Sequence, residues 1–157
     1  MSFGHRLFLL IGSFVAVLPV SARSASPEGL WLVEDKTARI RIEKCGSEMW
    51  GTVAWLREAK KDINNPNPAL RSRSMTGTAV LIGMKPAGGD RWEGEVYNAR
   101  DGKTYDSKMA VTPAGMLEIK GCVLGGLICG GENWTRLTPG PPGTAPKNNC
   151  AVVRAPR

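Results

Sequence analysis

From Thr37 to Leu137 the chain runs in short apolar–polar alternations, each ended by a glycine, proline or asparagine turn, and a helix cannot satisfy that pattern. Thr37–Glu43 (TARIRIE) puts Ala38, Ile40 and Ile42 on one face and Arg39, Arg41 and Glu43 on the other, as in a half-buried antiparallel strand. The turn KCGSE, centred on Gly46, returns the chain into Met49–Leu56 (MWGTVAWL), so a hairpin is expected. Further strands are expected over Thr78–Met84, Arg91–Tyr97, Thr104–Val111, Met116–Cys122 and Asn133–Leu137. Roughly seven to nine short strands with little helix make an all-β sandwich or barrel.

Arg57–Ser74 breaks this rhythm. Asn-Pro occurs there twice, at 65–66 and 67–68, which forbids a continuous helix or a central strand and leaves room only for a short turn of helix over Glu58–Asp62. Loops of this length in a compact domain are disproportionately functional.

The compartment is read from the start of the chain. His5 and Arg6 precede an apolar run from Leu7 to Val20 and a small-residue patch at Ser21–Ser26, the layout of a secretory signal peptide over residues 1–24. The run is short for a transmembrane helix, and no later segment is long and apolar enough to span a bilayer. The expected organisation is therefore a leader (1–24), one barrel-sized domain (25–138) and a proline- and glycine-rich flexible tail (139–157), in the periplasm or secreted.

Export narrows the chemistry. His5, the single histidine, leaves with the leader, so the mature chain has no imidazole base, no Ser-His-Asp triad and no histidine metal ligand. Removing Arg6 and Arg23 from 21 basic side chains against 14 acidic ones leaves a net charge of about +5, with the two signs interspersed. That is not a nucleic-acid footprint. Glu93 and Glu95 share one strand face opposite Trp92, Gly94 and Val96, so the acids are expected to face solvent rather than form a catalytic pair.

Cys122 and Cys129 flank a glycine-rich turn in KGCVLGGLICGGENWTR and are expected to form a disulfide in an oxidising compartment. Their spacing is not that of a zinc or Cys-x-x-Cys redox motif, and the stretch lacks both nucleotide-loop signatures. No metal or cofactor is expected.

Taken in order, several motifs carry a family likeness. They are GLW at 29–31, the Cys-Gly turn at 45–46, GTVAWL at 51–56, D-x-x-N-P-x-P-x-L-R-x-R at 62–73, WEGEVYNARDGKTY at 92–105 and GCVLGGLICGGENWTR at 121–136. The chain resembles the exported bacterial domain-of-unknown-function family 2147, which implies a small antiparallel, lipocalin-like β-barrel of about 8 strands and no assigned activity. Gly29-x-Trp31 with Arg136 is also similar to the lipocalin arrangement in which an early tryptophan closes the barrel base under a late arginine. Two positions depart from the family. Relatives often carry a cysteine where Trp50 stands, paired with the counterpart of Cys45, and Asn-Pro where Asn98-Ala99 stands. The first departure leaves Cys45 to seek another partner, and Cys150 in the tail is the candidate.

The expected function is non-catalytic binding of a small amphipathic or anionic ligand, in the barrel or at its mouth. Trp55, Tyr97 and Tyr105 are the candidate aromatic lining, and Arg71 and Arg73 are the candidate anion contacts. The alternative is an envelope structural or stress-related factor acting through protein contacts, for which the apolar turn Val123–Ile128 and the tail are the relevant features. An enzyme is the least favoured reading, and no catalytic residues are assigned.

Overall fold

A computed structural model describes residues 26–138 and Cys150. The leader expected over 1–24, and the tail expected over 139–157 apart from Cys150, lie outside the described residues. Eight strands follow one another: β1 (Gly29–Leu32), β2 (Ala38–Cys45), β3 (Glu48–Leu56), β4 (Ala79–Pro86), β5 (Arg91–Asn98), β6 (Lys103–Val111), β7 (Leu117–Val123) and β8 (Ile128–Leu137). Each pairs antiparallel with the next, and β8 pairs back to β1, so the sheet closes into the all-β barrel that the family resemblance implied. The helical turn is at Pro68–Leu70 rather than at Glu58–Asp62, because Pro68 presets the backbone at the turn's start and the Asn67 side chain caps it.

Directly opposed residues on antiparallel strands share a face, so the register identifies the interior. Trp31 lies opposite Ile40, and Ile40 opposite Val53. Leu81 faces Val96, which faces Tyr105; Trp92 faces Met109, which faces Ile119; Val111 faces Leu117, which faces Trp134. Trp31, Leu81, Met109 and Leu117 are essentially inaccessible. Burying side chains of this size supplies about 1.5–3 kcal/mol each, the main drive for closure.

One end of the barrel, the base, holds the start of β1 and the end of β8. There the Trp31 indole donates from Nε1 to the Pro27 carbonyl at 2.8 Å, and the Arg136 guanidinium carbon lies 4.1 Å from the ring centroid. Arg136 also donates to the Glu28 and Ser26 carbonyls at 2.7 and 2.6 Å. Gly29 takes φ +136°, and a Cβ there would stand 3.0 Å from Arg136 Nη1, so the glycine two residues before Trp31 is a steric requirement. Two disulfides complete the frame, Cys122–Cys129 and Cys45–Cys150. With sequence separations of 7 and 105 residues, they constrain the unfolded chain by about 2 and about 5 kcal/mol on a chain-entropy model.

Candidate ligand-binding site

The other end carries the connections 33–37, 57–78, 99–102 and 124–127. The first three are laced together into a lid. Arg100 pairs with Asp35 at 3.1 Å, Arg57 donates to the Lys36 carbonyl at 2.9 Å, and Asn64 Nδ2 donates to the Ala99 and Arg100 carbonyls at 3.3 and 2.9 Å.

The long loop is anchored by a buried carboxylate. Asp62 is 0% exposed, accepting from Tyr97 Oη at 2.6 Å, Asn65 Nδ2 at 2.8 Å, and Arg73 Nε and Nη2 at 3.0 and 2.8 Å. Burial alone would raise the Asp62 carboxyl, but the bonds from Tyr97, Asn65 and Arg73, with the charge of Arg73, hold it below the ordinary aspartate value. Burial, then the bond to Asp62 and its charge, push the Tyr97 phenol up to about 12. The Asn-Pro pairs serve the same anchor: Asn65 reaches both Asp62 and, at 3.4 Å, the Tyr97 hydroxyl, while Pro68 starts the short helical turn.

These contacts relocate several residues expected to bind ligand. Arg73 is committed to Asp62, and Arg71 donates from Nε to the Asn65 carbonyl at 2.8 Å, so both arginines hold the loop's own shape. Tyr97 has the same parity as Glu93 and Glu95 and therefore points to the outer face, where the long loop covers it. Strict alternation would put Trp55 inside with Val53. A bulge at Ala54 sets Ala54 and Trp55 against the single residue Arg39, which turns the indole outward beneath the Arg39 guanidinium, 4.7 Å from its centroid. Tyr105 does face the interior, near the lid, with its hydroxyl bonded to Asp101. That bond holds Asp101 below and Tyr105 above its ordinary value.

The interior wall of β5–β8 differs from the rest of the barrel. One register row reads Gly94, Ser107, Gly121, Gly130, with no side chain larger than serine. Gly94 is closely packed, since a Cβ there would stand 2.8 Å from Met84 Sδ, whereas one at Gly121 would make ordinary contact with Val96 and Tyr105, and one at Gly130, which is exposed, would meet nothing within 4 Å. The Ser107 hydroxyl is buried on this wall without a hydrogen-bond partner among the described residues. One step toward the base, Glu132 shares the inner face with Ile119 and accepts from Trp134 Nε1 at 2.5 Å. Because β1 is short, β8 pairs with it only from Thr135 to Leu137, and Ile128–Trp134 runs past its end. Among the described residues this leaves a seam beside Gly130. None of Ser107, Gly130 and Glu132 was assigned to a site from sequence; the signal available was their inward parity.

The family model described as "Uncharacterized protein conserved in bacteria (DUF2147)" matches residues 29–136, from the glycine under Arg136 to Arg136 itself. This chain belongs to that family. It is also similar to a solved structure described as "Protein HP1028 from the human pathogen Helicobacter pylori belongs to the lipocalin family", with a TM-score of 0.66 and 26% identity over 72% of this chain and 84% of that one. None of the curated proteins matches. The DUF2147 barrel is thus lipocalin-like, an architecture compatible with holding a small ligand. Among the described residues no helix is long and apolar enough to cross a membrane, and all four cysteines are in disulfides.

Proposed function

We propose that this protein is exported, loses residues 1–24, and works outside the cytoplasmic membrane as a non-catalytic carrier of a slender amphipathic molecule. In this reading residues 25–138 are the carrying domain and 139–157 a tail tied back through Cys150. The observation that carries the proposal is the Gly121–Gly130 end of the row, where a Cβ would meet only ordinary contacts at Gly121 and nothing within 4 Å at Gly130, whereas the Gly94 end is packed by Met84. A narrow apolar chain fits beside Gly121 and Gly130, with Tyr105 near the lid end.

The polar groups near that space are a hydroxyl and a carboxylate, Ser107 and Glu132. They favour a ligand head that donates hydrogen bonds, such as a hydroxyl, amide or ammonium, over the anionic head that Arg71 and Arg73 had suggested. The seam beside Gly130 is the proposed way in, since the lid's three loops are bonded to one another.

Titration with the neutral amphipathic probe N-phenyl-1-naphthylamine tests this reading. Saturable fluorescence enhancement is expected, lost in Gly130→Leu at an unchanged melting temperature. Absence of saturable enhancement in the native protein, or full retention in Gly130→Leu, would contradict the assignment.

A further inference from the structure

Among the described residues, the large hydrophobic side chains left exposed are Trp55, Ile63, Val123, Leu124, Leu127 and Ile128. All six belong to the lid end: Trp55 closes β3, Ile63 sits in the long loop, and the other four form the tip of the β7–β8 hairpin. None is at the base. At the tip, Leu124 and Leu127 are 70% and 84% exposed, and Val123 and Ile128 are 39% and 60%.

The tip is built rather than merely unpacked. Cys122–Cys129 ties the two strands just below it, and Gly126 and Leu127 donate back to the Val123 and Leu124 carbonyls. Leu124 itself takes φ +54°, a left-handed conformation that a leucine adopts only against steric resistance, and gains no burial there. From Gly121 to Gly131 the hairpin carries no charge.

The connections at the two ends also differ in charge, though less sharply. The connections at the lid end carry seven basic and five acidic side chains, a net of +2 that the mutually neutralising pair Asp62–Arg73 leaves unchanged. The connections at the base, 46–47, 87–90 and 112–116, carry one acid, Asp90, and no base. An apolar prong beside a mildly basic rim is complementary to an anionic lipid surface, where apolar side chains enter the acyl boundary while cations stay among the headgroups.

We propose that the lid end docks on an anionic bilayer surface, with Leu124 and Leu127 as the inserting residues. Such docking would bring the seam beside Gly130 close to the lipid surface. The proposal does not depend on the carrier reading: Gly130→Leu is expected to bind vesicles normally even where it loses the probe.

The test uses the purified protein with both disulfides formed, sedimented with vesicles of phosphatidylglycerol and phosphatidylethanolamine, and separately with phosphatidylcholine vesicles. Binding is expected to the anionic vesicles, weakened by salt and at least about tenfold weaker in the Leu124→Ser/Leu127→Ser double variant, whose melting temperature stays native because both positions are exposed. In a Leu127→Trp variant, a blue shift of the added emission on vesicle addition is the second expected sign. Failure of the native protein to bind anionic vesicles, or equal binding by the double variant, would overturn the proposal. So would concentration-dependent self-association that the double variant abolishes while vesicles remain unbound, which would assign the prong to a second copy of the chain.

Discussion

The two ends of the barrel are closed by different forces. At the base Trp31 is fully buried, held by the apolar interior and by Arg136 across its ring. At the lid, loops are held by a carboxylate, a phenol, an amide and a guanidinium that bond to one another. Apolar burial is indifferent to pH, whereas the lid's anchor includes a carboxylate and a phenol that titrate, Asp62 and Tyr97. The base is therefore expected to hold where a change in the protonation of Asp62 or Tyr97 loosens the lid.

The largest expected effect is at the plug. Trp31→Ala removes the biggest inaccessible side chain and should cost about 3–5 kcal/mol in denaturant unfolding. A loss below about 1 kcal/mol would show that the base is not where the barrel's stability is concentrated.

Next comes the lid. Asp62→Ala strands Tyr97, Asn65 and Arg73 and should cost about 2–4 kcal/mol, part of the Arg73 contribution being screened because that side chain is 33% exposed. Amide exchange should quicken in 57–78 and not in β1. Uniform quickening across the barrel would mean that the two ends are a single cooperative unit.

The pH dependence has a defined sign. The Asp62 carboxyl is depressed in the fold, so its contribution is complete above the unfolded value near 3.8 and is lost as pH falls through the lower folded value. The Tyr97 phenol is raised, so its contribution is complete below 10 and fades as pH rises from 10 through about 12. Protection of the amides in 57–78, taken relative to intrinsic exchange at each pH, should thus fall below about pH 4 and above about pH 10, before that of β1 falls. Constant protection across both windows would show that Asp62 and Tyr97 do not anchor the loop through their ionisation.

Gly102→Val should cost about 2–3 kcal/mol for two reasons: Gly102 sits at φ +70°, and a Cβ there would lie 1.8 Å from the Asn64 carbonyl oxygen of the docked loop. Lys103→Ala, next to it and exposed, should stay within about 0.5 kcal/mol. Matching melting temperatures for these two variants would dismiss the docking of 57–78 on this turn. The smallest effect is expected at Trp55→Ala, below about 1 kcal/mol, since its indole lies on the outer face beneath Arg39. Probe binding should be unaffected, and loss of binding would return Trp55 to the interior.

Much of the architecture was legible because alternation and turn residues are local signals. Ala38, Ile40 and Ile42 announce their face, and Gly102 its turn. The misplacements trace to non-local causes. Nothing around Ala54 signals the bulge that turns Trp55 outward, because the bulge exists only relative to Arg39 on β2. Tyr97 was legible as outward from its parity with Glu93 and Glu95, yet its burial under Asp62 depends on where a loop more than thirty residues upstream folds back. Extending the last strand back from Asn133 to Ile128 places Gly130 in register with Gly121 and Ser107, and only that register turns scattered glycines into one wall.

The proposed carrier role requires that a small ligand sit beside Gly121 and Gly130. Native mass spectrometry of the protein isolated without refolding, beside a denatured and non-reduced control, tests it most directly. A recurrent small-molecule adduct is expected, one that disappears on denaturation and is absent from Gly130→Leu. Bare native protein from repeated preparations, or an adduct that Gly130→Leu retains in full, would contradict it.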